Sequence, residues 1–102
     1  MPGFAANLFV ADASDWRPPR RFRYVYTLAD CVPESHLREY VFRLLERAVE
    51  PRGRLIVGSY GSRSRAEPPL DIAALLASFD LHVAGLASGG APPITAFAWV
   101  DR

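Results

Sequence analysis

The sequence predicts an α/β fold with a mostly parallel sheet that ends in an antiparallel strand. Runs of β-branched and aromatic residues alternate with segments that carry an apolar residue every three or four positions, a pattern typical of strands connected by helices. The last two strand-like runs are separated by only about six residues, SGGAPP, which is too short for a parallel crossover. We therefore expect right-handed crossovers through most of the sheet and an antiparallel pair at its end.

The composition indicates one small packed domain, or part of a larger one. The chain has 102 residues, of which 50% are hydrophobic, and its formal net charge is +1. This charge gives no overall attraction to nucleic acid or anionic lipid, so we expect neither partner. Cys31 is the only cysteine and predicts neither an internal disulfide nor a metal site. The sequence has no recognisable signal peptide and no apolar run of roughly 20 residues, so we expect a cytoplasmic protein that does not span a membrane.

The first part of the chain contains two predicted strands. The run NLFVA lies within the first, residues 6–11, and FRYVYTLA, residues 22–29, is the second. Between them lies SDWRPPRR, whose two prolines are incompatible with a helix and with a central strand. This segment is therefore predicted to be a loop.

The clearest helix follows the second strand. It is predicted to begin at Ser35, the expected N-cap, with Pro33 blocking extension backwards, and to end near Glu50. Its apolar residues recur at spacings of three and four and form one continuous stripe. Glu39 and Arg43 lie four positions apart on the polar side, which predicts an ion pair.

The second part of the chain predicts a turn, a strand, a helix and the final pair of strands. The turn is Pro51–Gly53, and RLIVGSY, residues 54–60, is an apolar strand of the kind found in sheets covered on both faces. A helix is predicted over residues 71–79, followed by Asp80 where a left-handed residue often closes a helix. The last strands are predicted over residues 81–87 and 94–100.

Several segments resemble the class I S-adenosylmethionine-dependent methyltransferases, in matching order. NLFVAD is similar to the third strand of that family and the acidic residue after it, and FRYVYTLADCVP to the fourth strand. LLERAVEPRGRLIVGSY resembles the helix, the leucine-x-proline-glycine-glycine turn and the fifth strand, and this match is the most specific. DIAALLASFDLHVAG resembles the last helix and sixth strand, and TAFAWVD the seventh strand. The resemblance covers nearly the whole chain and implies an incomplete Rossmann-like methyltransferase sheet.

The sequence departs from the family's pattern in the parts that hold the cofactor. The glycine-rich loop around the methionine part and the acidic residue that binds the ribose would both precede the first strand seen here. Arg23 stands where the family usually has aspartate, and Arg52 where it often has glycine. A sheet without its first strand lacks its centre, and the third strand lacks its neighbour. We therefore expect an unpaired edge along the VYTL segment, which predicts a homodimer, an N-terminal partner segment or a truncated gene product.

The resemblance implies S-adenosylmethionine as cofactor and suggests residues that contact it. Asp12 matches the acidic residue that hydrogen-bonds the adenine amino group, assisted by the backbone amide of Ala13; the alternative is a capping aspartate at a strand end. Trp16 would either cover the adenine ring or plug the end of the sheet. Thr27 and Leu28 lie at the carboxyl end of the fourth strand, where the family keeps its cofactor-facing groups.

Two further residues are candidates for the acceptor side of the site. Asp30 would orient or deprotonate a methyl acceptor, and the alternative is a solvated loop aspartate. Tyr60 follows the fifth strand and would either face the acceptor pocket or serve in packing. His36 and His82 are isolated in the sequence, so no metal site is predicted. No catalytic residue is assigned, because methyl transfer in such folds depends largely on positioning the acceptor.

These residues support two hypotheses of function. The first is a methyltransferase that acts on a small-molecule acceptor and is incomplete as this chain. The second is a non-catalytic Rossmann-like remnant that acts as an interaction or dimerisation module. A set of arginines predicts either a basic rim for a phosphate-bearing substrate or RNA, or a solvated loop. The arginines of this set are Arg17, Arg20, Arg21, Arg23, Arg63 and Arg65.

Overall fold

The computed structural model describes residues 7–11, 18–60, 71–89 and 95–102, and they form an α/β fold of five strands and two helices. A single 3-10 turn, Ala29–Cys31, follows the second strand. In chain order the elements are β1 (Leu8–Ala11), β2 (Phe22–Leu28), α1 (Glu34–Arg47), β3 (Val49–Tyr60), α2 (Ile72–Ser78), β4 (Gly85–Gly89) and β5 (Thr95–Asp101).

The strands form one mixed sheet in the order β1-β2-β3-β5-β4. β1 pairs with β2 and β2 with β3 in parallel, whereas β5 runs antiparallel to both of its neighbours, β3 and β4. Four strands therefore share one direction and the last strand of the chain reverses it. This confirms the prediction of a mostly parallel sheet with an antiparallel final strand.

β1 lies directly beside β2, which corrects the expectation of an unpaired VYTL edge. Leu8 is in register with Tyr24, and Ala11 with Thr27. The backbone N–H of Tyr24 also donates to the carbonyl of Asn7 at 2.8 Å. β1 therefore occupies this edge of β2 and supplies hydrogen-bond partners for its main-chain donors and acceptors.

Both helices pack on the same face of the sheet. The buried residues of α1 and α2 belong to a single hydrophobic core together with alternate residues of β2, β3 and β5. The strand residues of this face are Val25, Leu55, Val57, Ala98 and Val100, and the helix residues are Leu37, Tyr40, Val41, Leu44, Ile72 and Leu76.

The other face of the sheet is rich in aromatic side chains that are only partly buried. Side chains alternate between the two faces of a strand, so the neighbours of the core residues in β2, β3 and β5 lie on this face. They include Tyr24, Tyr26, Ile56, Phe97 and Trp99, all of intermediate burial. The core that contains α1 and α2 includes none of these five residues.

A bulge interrupts the pairing of β2 with β3. Phe22 pairs with Val49 and Tyr24 with Arg54, so β3 advances five residues while β2 advances two. The extra residues contain Arg52, which has a left-handed φ of 68°. A Cβ on Gly53 would lie 2.8 Å from the carbonyl oxygen of Arg23, so only glycine fits there. The predicted turn Pro51–Gly53 is therefore an excursion within a longer strand.

Several element boundaries differ from the predictions. α1 ends at Arg47 rather than near Glu50, because Val49 already pairs with β2. Ser35 is not the N-cap: the helix begins at Glu34 after Pro33, and no side chain caps it. The expected ion pair is present, with Arg43 Nη2 2.6 Å from Glu39 Oε1.

The strand that follows α2 also begins later than predicted. Asp80 has a φ of 64°, which confirms the left-handed residue expected at the end of the helix. Leu81 then donates its N–H to the carbonyl of Leu76 at 3.3 Å, and β4 begins only at Gly85. Residues 81–83 carry the chain from the end of the helix back to the sheet, so they cannot belong to a strand that starts at residue 81.

Candidate functional site

Asp30 links the carboxyl ends of β2 and β3. Its Oδ1 accepts a hydrogen bond from Ser59 Oγ at 2.7 Å, and its Oδ2 accepts one from the backbone N–H of Tyr60, also at 2.7 Å. The sequence places an aspartate two residues after the end of β2, and the parallel pairing of Leu28 with Gly58 brings the end of β3 beside it. Asp30 is therefore exposed at this edge of the sheet but held there by two hydrogen bonds.

Three aromatic rings form a cluster that includes Tyr60, whose backbone N–H binds Asp30. The ring centroids of Tyr26 and Phe97 are 6.1 Å apart, and those of Tyr60 and Phe97 are also 6.1 Å apart, with an edge-on angle of 89°. Gly58 makes this arrangement possible, because a Cβ at that position would lie 2.8 Å from the Phe97 ring. Tyr60 keeps 50% of its surface exposed, so the cluster presents an aromatic wall to solvent.

Thr27 points to the opposite face, into the core under α1. It is 1% exposed, its Oγ1 donates to the carbonyl of Ala11 at 3.2 Å, and it shares a 2.8 Å hydrogen bond with Tyr40 Oη. These contacts join β1, β2 and α1 through one buried hydroxyl. The structure therefore gives Thr27 a role in holding β1 to the sheet, separate from the site formed by Asp30 and Tyr60.

The remaining predicted site residues are placed as follows. Leu28 is partly buried at the last position of β2, beside Gly58 of β3. Asp12, Ala13 and Trp16 lie outside the described residues. The structure thus brings Asp30 and Tyr60 together and separates Thr27 from them.

Tyr26, like Phe97, is a residue of this cluster that the sequence did not single out. Burial raises the pKa of its phenol well above 10.0, and a hydrogen bond with Tyr60 and the proximity of Tyr60 and Asp30 act in the same direction. The period-two pattern of β2 places Tyr26 on the face opposite Val25, but its contact with Phe97 depends on the antiparallel register of β5. That register cannot be read from either strand alone.

The raised pKa of Tyr26 predicts a loss of stability at alkaline pH. Above about pH 10 the unfolded chain releases the Tyr26 proton while the folded chain retains it, so the free energy of unfolding falls as pH rises. The chain contains no lysine, so the side chains with ordinary pKa values near 10 are all tyrosines. Urea unfolding measured from about pH 9 to about pH 11 should give a smaller slope for Tyr26→Phe than for the native chain. An identical slope for both proteins would contradict the assignment to Tyr26.

Among the described residues we find no membrane-spanning helix and no cluster of metal-binding side chains. None of their helices combines the length and apolar character needed to cross a bilayer. Within the same ranges no three His, Cys, Asp or Glu side chains are grouped to hold a metal ion. Comparisons of the chain with models of protein families, with curated proteins and with solved structures found no match.

Proposed function

We propose that this chain is the C-terminal part of a class I S-adenosylmethionine-dependent methyltransferase, and that it contributes the acceptor side of the site. The observation that carries the proposal is the direction of the strands. Four strands run in one direction and β5 reverses it, which is the ending that the resemblance implies. The bulge at Pro51–Gly53 lies at the position of the family's turn, directly after the helix that precedes the fifth strand.

Asp30 and Tyr60 are suited to positioning a small acceptor. A carboxylate offers about four lone-pair directions, so Asp30 can accept a further hydrogen bond beyond those from Ser59 and the Tyr60 amide. An acceptor hydroxyl or amine bound in this way would lie against the half-exposed ring of Tyr60. Because methyl transfer depends mainly on alignment, a fixed carboxylate beside an aromatic wall is a sufficient acceptor site.

The described residues do not fit the whole cofactor. β1 hydrogen-bonds directly to β2, so the place of the family's first strand is closed by main-chain pairing. The hydroxyl of Thr27, a candidate cofactor contact, is engaged with Ala11 and Tyr40. No step through S-adenosylmethionine follows from these residues alone. An N-terminal partner segment would have to enter between β1 and β2. The four residue pairs that join these strands would then be lost, and the segment would form one new ladder with each strand.

The proposal is tested by titrating the full chain with adenosine and with S-adenosylmethionine in separate calorimetric experiments. We expect weak binding of both ligands with affinities within about threefold of each other, because the resemblance assigns this chain contacts with the adenine part of the cofactor and none with the methionine part. Asp12→Asn should weaken both by roughly tenfold, since it removes a charge-assisted hydrogen bond to the adenine amino group. Asp80→Asn is the matched control, because asparagine tolerates the left-handed φ of 64° at a position remote from β1.

Two outcomes would contradict the proposal or part of it. If neither ligand binds, the adenine side assigned to Asp12 is wrong and the chain lacks the function proposed. If S-adenosylmethionine binds tenfold more tightly than adenosine or better, the methionine side is present after all.

A non-catalytic interaction module is the second candidate, and one observation favours it. The direct pairing of β1 with β2 gives a sheet with no gap at its centre, which is what a remnant that folds without a partner requires. The partly buried aromatic face around Tyr26 and Phe97 would then serve as a contact surface for a second copy. A dimer by native mass spectrometry, together with no binding of adenosine, would favour this candidate over the methyltransferase.

A further inference from the structure

A cleft of about 400 Å³ lies at the opposite end of the sheet from Asp30, where β2 and β3 begin and β5 ends. Its volume falls in the range of small-molecule sites, roughly 300–1,000 Å³. None of the residues proposed to contact the cofactor or the acceptor lines this cleft. The cleft is lined by Arg23, Tyr24, Arg52, Arg54, Asp101 and Arg102.

The bulge in β3 creates the cleft. Tyr24, Arg54 and Asp101 are in register across β2, β3 and β5, so their side chains lie side by side on the aromatic face. The extra residues of β3 then carry Arg52 out of the ladder, opposite Arg23. The left-handed backbone of Arg52 fixes the direction in which its side chain leaves the strand.

The side-chain charges of the cleft are unbalanced, with four guanidinium groups against one side-chain carboxylate. Arg54 binds Asp101 through two contacts of 2.7 and 3.3 Å, and this ion pair lowers the pKa of the Asp101 carboxyl. Arg102 donates to the main-chain carbonyls of Val49 and Glu46. Arg23 and Arg52 take part in neither of the salt bridges formed among the described residues.

We propose that this cleft binds the phosphate or diphosphate group of a small molecule. Guanidinium groups match phosphate oxygens through paired N–H donors, and Arg23 and Arg52 both line the cleft. Asp101 already neutralises Arg54, so the positive charge that remains is concentrated at these two residues and Arg102. The net charge of only +1 gives no extended basic surface, which favours a small anion over a nucleic acid.

The test is calorimetric titration of the full chain with inorganic pyrophosphate at low ionic strength. Arg52→Gly is the informative variant, because glycine adopts a φ of 68° without strain and the protein should fold at least as well as before. We expect this variant to bind pyrophosphate roughly tenfold more weakly, since it removes a charge-assisted donor. Raising the salt concentration should weaken binding to the native chain.

Two control variants separate the cleft from general effects of charge and backbone. Asp80 is the other described non-glycine residue with a left-handed backbone, and its φ is 64°. Asp80→Gly relieves the strain of this conformation and should retain pyrophosphate binding. Arg38→Gln removes one positive charge from the exposed side of α1, where the guanidinium lies 5.1 Å from the Phe42 ring, and should also retain it.

Specific results would overturn the proposal. Equal weakening by Arg38→Gln and Arg52→Gly would show that pyrophosphate responds to net charge alone. Absence of binding to pyrophosphate, with binding to vesicles that contain phosphatidic acid or to a single-stranded oligonucleotide, would assign the arginines to a lipid surface or a nucleic acid instead. Because pyrophosphate contains no adenosine, a failure to bind it leaves the test of the methyltransferase proposal unaffected.

Discussion

Leu44→Ala should lower the free energy of unfolding by about 2–5 kcal/mol. Leu44 is fully buried on α1, at the centre of the core that joins both helices to the sheet. The substitution removes apolar atoms from this core and leaves a cavity that the neighbouring β-branched side chains cannot readily fill. A small domain is typically stable by about 5–15 kcal/mol, so this loss is a large fraction of the total. Urea unfolding followed by far-ultraviolet circular dichroism measures it.

Phe42→Ala on the same helix is the matched control for this prediction. The side chain of Phe42 is larger than that of Leu44, but 37% of the residue is exposed and its ring lies beside Arg38. Removing it should cost about 1 kcal/mol, because much less apolar surface is withdrawn from the core. Equal losses for both variants would mean that α1 does not pack on the sheet through the stripe that contains Leu44.

Thr27→Val should destabilise the protein by about 1–3 kcal/mol, although valine has nearly the same shape as threonine. The hydroxyl of Thr27 is buried and hydrogen-bonds both the carbonyl of Ala11 and the phenol of Tyr40. Without it, the carbonyl of Ala11 loses this donor and the contact between β1 and α1 is broken. The same urea experiment measures the change.

Thr27→Ser distinguishes the hydroxyl from the methyl group. Serine keeps both hydrogen bonds and loses only a buried methyl, so we expect a smaller loss of about 0.8 kcal/mol. If Thr27→Val is as stable as the native chain while Thr27→Ser is not, Thr27 serves as an apolar core residue. The result also concerns the cofactor contact that the resemblance implies for Thr27, because its hydroxyl already hydrogen-bonds Ala11 and Tyr40.

The local patterns of the sequence predicted most of the elements and one special backbone position. The apolar stripe predicted α1, the continuous apolar run predicted β3, and the short connection predicted the antiparallel ending. Asp80 was identified as left-handed because it follows a short amphipathic segment and aspartate tolerates that conformation. These features depend on residues that are close together in the sequence.

The features that were not predicted depend on pairing between distant segments. Val49 and Glu50 continue the helical pattern of α1, yet they belong to β3 because Phe22 offers a partner strand. Similarly, the family resemblance led us to expect a missing neighbour for β2, whereas β1 occupies that edge. Local propensity cannot show which of two compatible partners a segment finds.

The candidate site was predicted only in part for the same reason. Asp30 and Tyr60 were identified because the resemblance places acceptor-facing groups at the carboxyl ends of these two strands, and the structure joins them through a hydrogen bond. Phe97 and Tyr26 complete the aromatic wall through the register of β5 with β3. The arginine cleft likewise depends on that register, since Asp101 reaches Arg54 from a position 47 residues away.

The position of β5 determines the order in which this sheet can be completed during synthesis. β5 is the last of the described strands to be synthesised, yet it lies between β3 and β4 and supplies the only ladder that β4 makes in the described sheet. Until then, β4 has no partner and the outer edge of β3 is open to other chains. Such long-range closure is slow compared with helix formation. We therefore expect β1, β2 and β3 to pair before β4 and β5 can join the sheet.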